Sequence, residues 1–131
     1  MASGFTTALR NQILTAEFRT DNIWAACCDA NPGDAGTAAA EISASYGYTR
    51  MTLSMATAAT GSTKNIAAVE FPAAVTGTWG TIGWLAIATT TVEGDGKFSA
   101  SGALTVSKLI GVGDQLVFAI NAITVTIAPQ A

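Results

Sequence analysis

The segment EFPAAVTGTWGTIGWLAIATTT, Glu70–Thr91, carries no charged residue after its first and holds two tryptophans. Glycines recur in it at every third position, Gly77, Gly80 and Gly83. Strand alternation sets Ile82, Trp84 and Ala86 on one face and Leu85 and Ile87 on the other. Neither face offers water a polar side chain, so such a strand must be covered on both sides. One cover is the chain's own core; the N-terminal helix or another subunit supplies the second. Tryptophan suits a subunit contact, because it buries a large area at low entropic cost and keeps one N–H to satisfy. Trp79 and Trp84 are therefore candidate contact residues, with Trp79, near the strand start, expected to be the more exposed.

The shortage of charge extends to the whole chain. Only 11% of its 131 residues are charged and half are apolar, against roughly a quarter charged in an ordinary globular protein. Membrane insertion is one explanation, but the longest apolar run, Ile82 to Ala88, is far short of the roughly 20 residues a spanning helix needs. Burial against other protein is the better one, which points to a homo-oligomer, a trimer among the possible forms, or to a larger assembly. The six basic residues (Arg10, Arg19, Arg50, Lys64, Lys97, Lys108) are scattered and the net charge is −3, so no nucleic-acid-tracking patch is expected. The start, MASGFTTALRNQ, lacks the basic-then-apolar pattern of a secretory signal.

Length alone suits a single domain over residues 1–131. Phe5, Leu9 and Ile13 recur every fourth residue and Leu14 and Phe18 extend the stripe, which predicts an amphipathic helix over 4–19 with Ser3 as its N-cap. Phe5, Leu9 and Ile13 join the tryptophans as candidate contact residues. From Ile23 the chain reads as β over 23–128. IWAACC is a short apolar strand, YTRMTLSMA alternates with Arg50, Thr52 and Ser54 on the polar face, and KNIAAVEFP is a strand ended by Pro72. VEGDGK marks a turn before FSASGALTVS, and GVGDQ precedes a closing pair, LVFAI and ITVTIA. Short strands at this spacing predict a mainly β protein: an antiparallel β-sandwich, jelly-roll-like, with one N-terminal amphipathic helix.

Chemistry is sparse. The chain has no histidine, which removes His-dependent nucleophile systems and, with two cysteines, the standard zinc sets. Asp29, Asp34, Glu41, Asp95 and Asp114 sit singly in loops, where turn chemistry places such residues. The DANPGDAG loop, Asp29–Gly36, resembles a calcium loop through Asp29, Asn31 and Asp34. It has Asp34 where that pattern needs glycine and Ala40 where it needs glutamate. Neighbouring Cys27 and Cys28 would point to opposite faces of a strand, so both are expected as free thiols, the alternative being a vicinal redox switch. Free thiols suit assembly in a reducing cytoplasm. No catalytic, cofactor or metal site is expected.

Taken together, the DANPGDAG loop, YTRMTLSMATAATGSTKNIAAVEFPAA, WGTIGWLAI, SGALTVSKLIGVGDQLVFA and ITVTIA, in this order after a helical start, resemble a family of small tailed-bacteriophage virion proteins commonly labelled tail-fibre proteins. The resemblance covers nearly the whole chain. It implies a non-enzymatic structural part of the virion, assembled in the host bacterial cytoplasm, with other virion proteins such as major capsid or tail proteins as partners. No coiled coil or repeat is present to build a shaft. Capsid decoration, as a cement protein over subunit junctions, is therefore expected ahead of a tail-fibre or tail-tip adaptor. A host-glycan-binding lectin-like module, using Trp79, Tyr46 or Tyr48, is the alternative of another class.

Overall fold

The first ladder forms where the most apolar text lies. In the computed structural model, which describes residues 4–19, 23–96 and 98–128, strand β1 (Trp24–Cys28) pairs antiparallel with the segment Gly80–Ala88. In chain order the other strands are β2 (Met51–Thr52), β3 (Ser62–Lys64), β4 (Val69–Glu70), β5 (Gly80–Ala88), β6 (Phe98–Ile110), β7 (Val117–Phe118) and β8 (Thr124–Thr126). One α-helix, α1 (Thr7–Phe18), precedes them. The fold is mainly β and antiparallel with a single N-terminal helix, as expected. The strands divide into ladders of four, two and two among the described residues, β2-β1-β5-β6, β3-β8 and β4-β7. The paired four-stranded sheets of a jelly roll are not seen there.

The chain falls into two compact units. The sheet unit comprises Asn22–Thr52 and Val69–Val117, and the helical unit Met1–Asp21, Leu53–Ala68 and Phe118–Ala131.

In the sheet unit, β1 and β5 are apolar on both faces and are covered on both. Register aligns Trp24, Ala26 and Cys28 with Ala88, Ala86 and Trp84. On that face Ala26, Cys28, Ala86, Ala88 and Phe98 pack with Ala38, while Ala40 and Trp84 lie against the group. Ala38 and Ala40 belong to a 3₁₀ turn in the long loop after β1. The second cover of the tryptophan strand is therefore this loop, not the helix. Small alanines let it approach closely, and Gly36 sets the limit: a Cβ there would stand 2.7 Å from the Phe98 carbonyl oxygen. On the opposite face Ala25, Cys27, Leu85 and Ile87 are buried as well.

In the helical unit, α1 starts later than the apolar stripe suggests. Thr6 is the N-cap, its hydroxyl accepting from the Leu9 N–H; Ser3 lies outside the described residues. The buried line is Arg10, Leu14 and Phe18, while Phe5 and Leu9 are exposed and Ile13 is half-buried. Arg10 displaces the expected stripe because its charge finds partners inside: its guanidinium donates to the Ile127 carbonyl and the Thr7 hydroxyl. Gly61 makes the room, since a Cβ there would sit inside the Arg10 head group. The helix packs on β3, and β3 pairs with β8, Ser62 opposite Thr126.

Three expected strands are therefore broken or re-paired. KNIAAVEFP divides between β3 and β4, and LVFAI and ITVTIA pair with those two strands and not with each other. In YTRMTLSMA only Met51 and Thr52 form a strand, although Leu53 and Met55 are buried and Ser54 exposed as the alternation predicts.

Candidate assembly surface

Strand β6 is the edge of the four-stranded sheet and, at 13 residues, the longest strand described. Its register with β5 slips at Gly83: Ile82 faces Lys108 but Trp84 faces Ala103, leaving residues 104–107 opposite one glycine. This bulge turns Val106 outward, 66% exposed. Past it, Leu109 is 70% and Val112 66% exposed.

Backbone bonds gather these residues with two others at one end of the unit. The Ile110 carbonyl accepts from Trp79 N–H and the Thr78 hydroxyl. Gly113 N–H donates to the Ala74 carbonyl, and Ala74 N–H to that of Asp114. Val75 N–H donates to the Tyr46 carbonyl. Tyr46 and Val75 are each half exposed. Tyr46 holds a left-handed backbone, φ 55°, with its ring against Gly77.

Trp79 belongs to the interior of this end, contrary to the expectation that it is the more exposed tryptophan. It is 8% exposed, its Nε1–H donates to the Tyr46 carbonyl at 3.0 Å, and it meets Tyr48 edge-on at 5.4 Å. Tyr48 is also buried and stacks at 6.3 Å on Phe71. An aromatic platform of Trp79, Tyr46 and Tyr48 for glycans is therefore not presented; only Tyr46 of the three faces water. Trp84 is half-buried under the loop. Phe5, Leu9 and Ile13 belong to the helical unit and Trp79 and Trp84 to the sheet unit. The exposure of Leu109, Val112 and Val75 was not legible, whereas Tyr46 was named, as a candidate glycan contact. GVGDQ reads as a turn, and nothing in the text tells which side of a strand end lacks a cover.

Arg50 is likewise inside, not on a polar face. It forms a two-pronged ion pair with Glu41, Nε to Oε2 at 2.9 Å and Nη2 to Oε1 at 2.8 Å, both side chains fully buried. Its guanidinium also donates to the carbonyls of Thr90 and Asp95 and lies 5.6 Å from the Phe98 ring centre. Glu41 accepts further from the Tyr48 hydroxyl, 2.6 Å, and Gly94 N–H, 2.6 Å. Burial first, and then donation to Glu41, raise the Tyr48 hydroxyl far above the usual phenol range, so it stays a donor.

The remaining acids fill smaller roles. Asp95 and Asp114 accept from Gly96 and Gly111 in turns. In the Asp29–Gly36 loop Asn31 accepts from Gly33 N–H. Beside that loop runs an open groove of about 300 Å³, lined by Asp34, Ser99 and Ser101 among others. Among the described residues no cluster of three or more Cys, Asp or Glu side chains is placed to hold a metal ion.

Cys27 and Cys28 are free and buried. Burial, then Cys28 and Glu41, raise the Cys27 thiol, and burial followed by Glu41 pushes Cys28 up to about 12. Both thiols are expected to resist a disulfide-exchange reagent at about pH 8 in the folded protein. Two equivalents should titrate once denaturant is added, a difference read by absorbance. Fast reaction of either in the native protein would restore the redox-switch reading.

No helix among the described residues is long and apolar enough to cross a membrane. No curated protein matches the chain significantly. A family model does: Podophage GP4 fiber I protein gp80 matches residues 4–126, which takes in residues of both units. The order of helix, apolar strands and turns over that span is the one in which the resemblance was read. The chain belongs to the podophage GP4 fiber I protein gp80 family, and is a structural component of a bacteriophage virion.

Proposed function

We propose that the chain is a non-enzymatic building block of the phage's fibre apparatus, one that works by docking onto neighbours. The family match over residues 4–126, under a fibre description, carries this reading. Exposed apolar side chains support it. The sheet unit presents Leu109 and Val112, and the helical unit presents Phe5, 48% exposed, and Leu9, 40%. A protein with separate sticky sites can join more than one neighbour, which serial assembly requires. Phe5, Leu9 and Ile13 are the contact residues of one such site, with Ile13 at its half-buried margin.

The longest helix described is 12 residues and the longest strand 13. Neither spans a fibre's length, so reach has to come from copies in series. The same shortness favours a second reading, capsid decoration at subunit junctions. Copies per particle, counted by quantitative mass spectrometry of purified virions, separate the two. Symmetric repetition over a shell gives on the order of hundreds of copies, and a tail apparatus on the order of tens. Hundreds would transfer the chain to the capsid, and absence from the particle would end both readings.

A further inference from the structure

We propose that the first turn of α1, together with the guanidinium of Arg10, binds a small oxyanion, a carboxylate or phosphate group. Such a site belongs to the helical unit and does not depend on the fibre reading. Arg10 is 7% exposed, and an arginine so deeply buried is ordinarily paired with an acid. This one is not, since the ion pair found among the described residues joins Arg50 to Glu41. Both partners of the Arg10 head group are neutral: the Ile127 carbonyl accepts from Nη1 at 3.1 Å and the Thr7 hydroxyl from Nη2 at 2.9 Å. The Nε–H is shut off from water and has no acceptor. A guanidinium carries five N–H bonds, and two of these are used.

Helix electrostatics add a second, independent demand for negative charge. Aligned peptide dipoles put positive potential at a helix N-terminus, which an acid in the first turn ordinarily offsets. The first turn of α1 holds no acid, and Arg10, close behind it, adds a positive charge. The first acid of the chain is Glu17, about 10 Å further along the helix axis. The Arg10 head group reaches back to the start of α1, because helical side chains lean toward the N-terminus and Nη2 is bonded to Thr7, the first helical residue. At that end Leu9 N–H is satisfied by the Thr6 hydroxyl. The N–H groups of Thr7 and Ala8 find no acceptor among the described residues, and both residues are exposed. A buried cation without an acid and a helix end without one therefore meet at Thr7. An oxyanion answers both, since it accepts charge-assisted bonds from a guanidinium and from N-terminal amides together. The depth of Arg10 restricts the occupant to a small group.

The test uses the full chain, labelled with nitrogen-15 and followed by nuclear magnetic resonance. It is titrated with sodium phosphate and, separately, with sodium acetate, each replacing chloride so that ionic strength stays constant. The amide resonances of Thr7 and Ala8 and the Arg10 Nε–H resonance are expected to move together and to saturate. Acetate stands for an aspartate or glutamate side chain supplied by another protein, and phosphate for a free ion; whichever saturates at the lower concentration identifies the source. Arg10→Met, similar in length and uncharged, should abolish the saturating shift at Thr7 and Ala8 while the resonances of Ser62–Lys64 and Thr124–Thr126 stay in place. Should that variant fail to fold, the Nε–H resonance of the native protein decides alone. Resonances that only drift linearly with either salt, a Nε–H that never moves, or a saturating shift that survives Arg10→Met would overturn the proposal.

Discussion

Replacing Arg50 with alanine is expected to lower the unfolding free energy of the sheet unit by about 3–5 kcal/mol, as losing one partner of a buried ion pair does elsewhere. The effect is large because the substitution strands more than a charge. Glu41 would remain in a fully buried site with only the Tyr48 hydroxyl and Gly94 N–H as donors. The carbonyls of Thr90 and Asp95 would lose theirs. Those carbonyls belong to the loop between β5 and β6, and Glu41 to the loop that covers β1. Arg50 therefore clamps two loops that have few apolar side chains with which to hold themselves. All three tryptophans, Trp24, Trp79 and Trp84, lie in the sheet unit, so denaturant unfolding followed by tryptophan fluorescence reads this unit directly.

Two companion variants separate charge from shape. Arg50→Lys keeps the charge but cannot form the two-pronged pair or reach both loops, so most of the loss should persist. Glu41→Gln with Arg50→Met removes both charges and should be less damaging than Arg50→Ala, since no ion is left buried alone. A loss under about 1 kcal/mol for Arg50→Ala, the range of exposed pairs, would mean that the pair is solvated in solution and the loops are held otherwise.

What the text discloses about this fold follows from how local each signal is. β1 and β5 are legible because their residues are apolar on both faces, and the turn before β6 because Gly94, Asp95 and Gly96 accept the backbone it needs. The partner of a strand is not local. Ser62 meets Thr126 across 64 residues, and nothing in either stretch specifies the other. The helix shows a second kind of gap. Its apolar spacing selects Phe5, Leu9, Ile13, Leu14 and Phe18, of which Leu14 and Phe18 are buried; the buried line is completed by Arg10 because a glycine far along the chain, Gly61, admits a guanidinium. Trp79 was misjudged for a related reason: its N–H is satisfied by the Tyr46 carbonyl, a partner that only the folded loop supplies. Exposed positions such as Leu109 and Val112 stay illegible as long as the covering elements are unknown.

Asn65 does for the helical unit what Arg50 does for the sheet unit, and Asn65→Leu is expected to cost about 3 kcal/mol or more. The side chain is fully buried. Its Nδ2 donates to the carbonyls of Ala67, 2.8 Å, and Ala119, 2.9 Å, and its Oδ1 accepts from Ile123 N–H at 2.8 Å. The backbone continues the same seam, Asn65 N–H to the Ile123 carbonyl and Asn121 N–H to the Asn65 carbonyl. One amide thus satisfies three backbone groups, and leucine, similar in size, satisfies none. Each hydrogen bond is worth about 1 kcal/mol net, and a buried group left unpaired costs about 1–3 kcal/mol. Asn65→Asp should be no better, because two carbonyl oxygens would then face a carboxylate. Tryptophan fluorescence does not report on the helical unit directly, so the measurement is amide hydrogen exchange. Protection of Ile123 and of Thr124–Thr126 in β8 should fall about a hundredfold or more, each factor of ten being about 1.4 kcal/mol. The pairing of β8 with β3 would then be shown to depend on a side chain between them in the fold and far from β8 in the text. Protection within a few-fold of the native value would mean instead that the β3–β8 ladder holds itself and that Asn65 only fills its space.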